Sequence, residues 1–506
     1  MSTSTRVIKN TGYLYAKMFI TMFISLYSTR LILKSLGASD FGIFNIVGGA
    51  IAMLGFLNAA MASTTQRFMS FSEGEGNKHK QKIIFNLGFS LHFLLSLIVG
   101  IILTIAGFIF FNGGLNIPIE RIFAAKIVYC SLIISTIFTV MTVPYDALIN
   151  AHENMKYYAI IGILESILKL ITAVICVYTS KDKLITYGIL MACIPLITLT
   201  IMRIYCHKKY EECVISPKKY WNKAIMKEMI SFAGWNFVYT ASGMITQYGL
   251  GIIINNYFGV ILNAAQGIAV QVSGVLMAFS QNAMKSLKPM IDKNAGAKHL
   301  EKSLYISLLG CRVSFCLFGL FSLPFIFEMD FFLNLWLEKV PQWAVIFCQL
   351  QLIRILLEQL TLSLSSAINA QGEIKYYNLW KSILNFLPLC IIPFLFKNNF
   401  APYWMYIVWI ICWSILGGFV SIIFAHKKVN LSYKRYTNEI IIPAIIVGCT
   451  TTLLYHFLEN IINTRIISLI LIVLYYMLLS FLLLFHKNER NQLIMLITNI
   501  TNKIKK

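Results

Sequence analysis

A few charged residues lie in stretches that are otherwise apolar. Arg30 and Lys34 stand four apart in "FISLYSTRLILKSLG" and so share one face of a helix. Lys17, Lys126, Arg312 and Arg354 sit in similar surroundings. Glu165 with Lys169 and Arg354 with Glu358 repeat the four-residue spacing with opposite charges. A charge at membrane depth is costly, so each is a candidate functional residue. Guanidinium forks and ammonium groups suit a phosphate or diphosphate. The two acids suit proton exchange, with intrahelical neutralisation as the plainer account of each pair. Lys17 can snorkel to a nearby membrane surface. Gln247 and Gln271 add amides able to bind sugar hydroxyls, or to join helices.

The acids are as informative by their scarcity. From Met1 to Phe71 the only one is Asp40, which falls in a turn, and from Met229 to Ile291 there is none. A carrier of cations or protons needs a carboxylate in its cavity. An anion carrier needs bases.

These charges must be positioned by membrane helices. The chain is 58% hydrophobic and 13% charged, with a mean hydropathy of +0.71. Apolar runs of about 20 residues, each sufficient for one span, recur from end to end. The short-period alternation of an outer-membrane barrel is absent. The expected fold is an all-α polytopic membrane protein of about 14 transmembrane helices. The spans fall near 10–36, 41–67, 83–111, 122–148, 158–178, 185–205, 226–256, 260–287, 303–327, 343–370, 377–396, 402–426, 438–456 and 464–486. The first is too long for a signal-peptide core.

The net charge of +22 would suggest nucleic acid in a soluble protein. Here the bases gather in short loops. With the N-terminus inside, about 25 Lys and Arg lie on the inner side and about six outside, which orients the chain with both termini in the cytoplasm. No nucleic-acid partner is expected. The eleven cysteines form no Cys-x-x-Cys and read as reduced packing residues. No metal site and no cofactor is expected, and His79 and His299 read as solvated loop residues.

The loop "GNKHKQK" (Gly76 to Lys82) returns as "GAKHLEK" (Gly296 to Lys302), 220 residues later and six spans on. Upstream, "SLGASDFGIFNIVGGAIA" (Ser35 to Ala52) has a counterpart in "NYFGVILNAAQGIAVQV" (Asn256 to Val272). The reading is a parallel duplication. It gives a six-helix bundle over 1–205, a cytoplasmic linker over 206–225 and a second six-helix bundle over 226–426. Two additional helices and a tail occupy 427–506. The two bundles are expected to be pseudo-symmetric, with a substrate between them.

The stretches "NTGYLYAKMFITMFISLYSTRLILKSLGASDFGIFNIVGG" (Asn10 to Gly49) and "ASTTQRFMSFSEGEGNKHKQKIIFNLGFS" (Ala62 to Ser90) resemble the opening of bacterial O-antigen and capsule repeat-unit flippases of the Wzx type. These belong to the multidrug/oligosaccharidyl-lipid/polysaccharide export superfamily. The resemblance implies a non-enzymatic flippase of the bacterial inner membrane. It would move an undecaprenyl-diphosphate-linked oligosaccharide between leaflets by alternating access. Its partners would be that glycolipid, membrane lipids and other membrane enzymes of the polysaccharide pathway. On this reading Arg30, Lys34, Lys17, Lys126, Arg312, Arg354, Gln247 and Gln271 bind substrate, while Glu165, Lys169 and Glu358 serve coupling. The alternative is an ion-coupled multidrug exporter of the same superfamily, against which the scarcity of acids argues. A membrane polymerase or glycosyltransferase is disfavoured by the short outer loops. "EMDFFLNLWLEKVPQW" (Glu328 to Trp343) is the longest of these and reads as an interfacial turn. No Gly-x-x-x-x-Gly-Lys-Ser/Thr loop is present to bind ATP.

Overall fold

Thirteen helices among the described residues are long and apolar enough to cross a bilayer. The structure is a computed structural model and describes residues 3–52, 55–114, 117–461, 464–492 and 494–495. It is helical, with no strand among those residues. In lipid a helix is the economical solution, because it satisfies its own backbone groups. The chain is a multi-pass membrane protein. Large side chains such as Phe23, Leu26, Phe108, Phe394, Leu453 and Leu478 stand exposed, as lipid-facing residues do.

The first half runs α1 (Thr3–Ala52), α2 (Gly55–Glu75), α3 (Lys78–Ile109), α4 (Ile122–Ala151), α5 (Met155–Tyr178) and α6 (Lys183–Lys209). There follow α7 (Lys223–Phe258), α8 (Val260–Gly296), α9 (Leu300–Phe327), the short α10 (Met329–Trp336), α11 (Ala344–Ala370) and α12 (Lys375–Lys397). Spans Trp404–Val429, Tyr433–Glu459 and Arg465–Leu483 complete the chain. The second expected span, 41–67, is carried by the end of α1 and by α2, with residues 53 and 54 outside the described set. The far end of the tail lies outside it too.

By internal packing the chain separates into two units, Asn10–Phe237 and a second made chiefly of Val238–Lys506. The boundary falls inside α7. In the second unit α9 is the most enclosed span, with 72% of its apolar window buried against 11–44% for the others. Any charge on it therefore needs a partner from the protein. The last two spans pack on α9 through Phe315, Ala444 and Leu484, and through Leu323, Val447 and Tyr476.

The sequence repeat has a backbone counterpart. Gly37 breaks α1 at φ 75°, ψ 169°. Gly259 separates α7 from α8 at φ 82°, ψ −177°. That region is open essentially to glycine alone. Gly37→Ala and Gly259→Ala are each expected to cost about 1–3 kcal/mol, read as a lower midpoint of thermal unfolding in detergent. The repeated polar loops differ in detail. Gly76 carries the positive φ in the first, and Lys298, two positions later in the alignment, carries it in the second. Asn77 caps α3 by accepting from the Lys80 N–H at 3.0 Å, whereas His299 caps α9 without a side-chain bond.

Two local expectations are corrected. Asp40 lies in the helical part of α1 beyond Gly37, not in a turn. The segment after Glu328 forms α10, a helix with one apolar face, where a turn was expected.

Candidate functional site

A polar cluster inside the membrane helices belongs to the second unit. It is built on α11, where Gln351, Arg354 and Glu358 follow at three- and four-residue spacing and so share a face. Arg354 Nε donates to Gln351 Oε1 at 3.1 Å, and Arg354 Nη1 is paired with Glu358 Oε1. Gln351 Nε2 reaches Ser273 Oγ on α8 at 3.3 Å. The guanidinium lies 4.5 Å from the Trp409 ring centre and 5.4 Å from that of Trp413. Cation–π contact of this kind stabilises a poorly hydrated arginine.

The tryptophans flank and enter a π-helical stretch, Ile410–Leu416. A π-turn frees backbone acceptors and is frequent at functional sites. Here the Gly417 carbonyl accepts from Lys381 Nζ at 3.3 Å, and Ser414 Oγ donates to the Arg354 carbonyl at 2.9 Å. Lys381, on α12, also feels Glu358, Tyr239 and Tyr377 electrostatically. Asn385, one turn on, binds Ser242 Oγ at 2.9 Å and accepts at its carbonyl from Thr246 at 2.8 Å and from Trp413 Nε1 at 3.3 Å. Five spans thus contribute to a cluster with two bases, one acid and two indole faces. The net positive charge favours an anion, and the rings offer stacking surfaces for sugar.

A smaller cluster lies in the first unit. Lys17 Nζ sits 4.3 Å above the Tyr158 ring. Its stem crosses α5 at Gly162, where any side chain would collide with it. Tyr158 is within electrostatic reach of Lys17, Asp146 and Glu165. Glu165 and Lys169 pair at 2.6 Å, both side chains being nearly half exposed.

The other expected residues are dispersed. Arg30 and Lys34 are exposed on α1, and no ion pair involves them among the described residues. Lys126 is exposed, 5.9 Å from the Phe111 ring centre. Gln247 is half-buried and Gln271 exposed, neither hydrogen-bonded among the described residues.

Arg312, which has no obvious partner near it in sequence, is fully engaged. It donates to Glu489 at 3.0 and 3.2 Å and to the Leu484 carbonyl at 3.0 Å. Tyr305 Oη donates to the same carboxylate at 2.6 Å. The structure thus puts Arg312 in a buried ion pair with Glu489. Arg67 is likewise held structurally, among Phe68, Phe71 and Phe232 and 3.9 Å from Glu228.

Sequence reasoning passed over Lys381. Its signal was a four-residue spacing from Asn385 inside an apolar run. It also missed two ionic knots at the ends of the first unit's helices. In one, Arg121 clamps Asp40 and Asp182, donating to them at 2.8 Å and 2.6 Å respectively. Burial would raise the Asp182 carboxyl, but the Arg121 hydrogen bond and the Ile185 N–H outweigh it and hold it below the ordinary carboxylate range. In the other, Glu73, His152 and Glu212 converge, a group able to hold a metal ion. Burial pushes Glu212 up, yet the His152 hydrogen bond, its own backbone N–H and Lys78 bring it below the ordinary value. His79 is not part of this group and lies 5.9 Å from the Tyr220 ring centre.

No sequence-family profile matches the chain, and no curated protein does. Solved structures do match. A MATE protein in the bent conformation superposes with a TM-score of 0.73 at 13% identity, covering 85% of this chain and 96% of its own. A MOP superfamily transporter from Pyrococcus furiosus, described by a binding pocket of reverse polarity that suggests a different function, gives 0.70 at 13%, covering 84% and 96%. An outward-facing multidrug resistance MATE family transporter of the MOP superfamily gives 0.69 at 12%, covering 84% and 96%. The chain has the fold of the MATE transporters of the MOP superfamily.

Proposed function

We propose that this protein is a membrane transporter of an anionic, lipid-linked glycan, an undecaprenyl-diphosphate oligosaccharide, moved from the inner to the outer leaflet by alternating access. The observation that carries the reading is Arg354, ion-paired with Glu358 beside two tryptophan rings, with Lys381 held at the Gly417 carbonyl of the tryptophan-bearing span. A diphosphate would engage the two bases, and the first sugars would lie against indole faces. The resemblance of the first ninety residues to Wzx-type flippases points the same way. On this reading the protein is not an enzyme, lies in the bacterial inner membrane with both termini cytoplasmic, and works beside other membrane enzymes of glycan assembly.

The multidrug reading has its own support in the fold, since one matching structure is a multidrug transporter. Glu165 and Glu358 would then be its cation or proton sites. The two readings separate in one assay. Purified protein in liposomes is given a labelled undecaprenyl-diphosphate oligosaccharide together with a lipophilic cationic dye. Outward movement of the glycolipid with static dye is expected, falling about tenfold in Lys381→Met for the loss of one charge-assisted contact. Dye export with static glycolipid would replace this proposal by the exporter.

A further inference from the structure

We propose that Glu73, His152 and Glu212 form a binding site for a divalent transition-metal ion of the zinc class, with Lys78 as a resident competitor for the position. The residues come from three segments: the last turn of α2, the C-cap of α4 and the stretch after α6. One ligand atom from each lies within 4.8 Å of the other two. His152 Nδ1 is 3.6 Å from Glu73 Oε1, and its Nε2 contacts Glu212 Oε1. One imidazole and two carboxylates are a donor set suited to Zn²⁺, Co²⁺ or Mn²⁺.

Two of the ligands, His152 and Glu73, are also held from behind. The His152 ring stacks on Tyr210, with centres 4.3 Å apart and planes at 9°. Asn154 Nδ2 fixes the Tyr210 hydroxyl at 3.2 Å. Gln81 Nε2, itself buried, donates to Glu73 Oε2 at 2.9 Å. The Glu212 side chain is 2% exposed, so its carboxylate cannot rely on water for charge compensation.

Lys78 marks where positive charge is favoured. Its Nζ stands 3.5 Å from Glu212 and 3.7 Å from Glu73. Those spacings exceed the roughly 2.7–2.9 Å of a direct charged hydrogen bond. The lysine side chain is half exposed, so it can move into water when a metal takes both carboxylates at about 2.0–2.2 Å. The bound ion would tie the segment carrying Glu212 to the ends of α2 and α4. Asn86 grips the same segment independently, at Val214 and Ser216.

The test uses the intact protein in detergent at neutral pH, after chelator treatment, titrated with Co²⁺ by absorbance and with Zn²⁺ by calorimetry. One saturable site is expected, with a ligand-field spectrum showing mixed nitrogen and oxygen donors. Affinity should fall at least about tenfold in His152→Ala and Glu212→Gln. Lys78→Met should bind more tightly than the unaltered protein. That variant changes a half-exposed side chain, so its result stands even if the buried ones fail to fold. Absence of saturable binding, or affinity unchanged by Lys78→Met, would overturn the site and leave an ion-paired cluster.

Discussion

Arg354→Gln is expected to lower glycolipid movement by about 100-fold with the protein still folded. The guanidinium is 7% exposed and makes its contacts in a region poor in water. Loss of two charge-assisted contacts to a diphosphate is worth about 3 kcal/mol, and each 1.4 kcal/mol is about a factor of ten. Arg354→Lys keeps the charge but loses the planar fork, and an intermediate rate is expected. Glu358→Gln separates two roles for the acid. As a counter-charge it is dispensable, and glycolipid movement would persist or rise. As a proton carrier it is required, and movement would stop while glycolipid binding remained. Equal transport by Arg354→Gln and the unaltered protein would remove this cluster from the mechanism.

Glu489→Ala is expected to be the most destabilising single change away from that cluster. Arg312 has no exposed side-chain surface, and the Glu489 side chain is 6% exposed. Removing one member of a buried pair leaves an uncompensated charge and costs about 3–5 kcal/mol. The Tyr305 hydroxyl and the His486 N–H lose their acceptor as well. Thermal unfolding in detergent reads the loss. The double variant Arg312→Leu with Glu489→Leu removes both charges, and most of the stability is expected to return. Its transport rate then reports on function. Normal flux in a restored double variant makes Arg312 a structural residue, whereas a stable but inactive one returns it to the substrate path.

The same two residues show where local reading stops. Arg312 is visible in sequence as a charge inside an apolar run. Glu489 lies 177 residues away, and no spacing rule joins them. The Arg354–Glu358 and Glu165–Lys169 pairs were legible because both partners sit on one helix, where geometry follows from spacing. Lys381 was passed over since a lysine shortly after a helix start looks like an orientation signal. Only the approach of α12 to the π-turn brings it to the Gly417 carbonyl. Glu73, His152 and Glu212 escaped for the same reason, each being unremarkable among its own neighbours.

The sequence by itself determined the helical membrane class, nearly all of the spans and the two matching stretches in which the structure places the glycine breaks. Those follow from local quantities: apolar length sets a span, and a residue without a side chain permits the break at Gly37 and Gly259. The tertiary structure decided which charges meet. Burying a charge in lipid is so unfavourable that its partner is chosen by packing, from whatever helix the fold brings near.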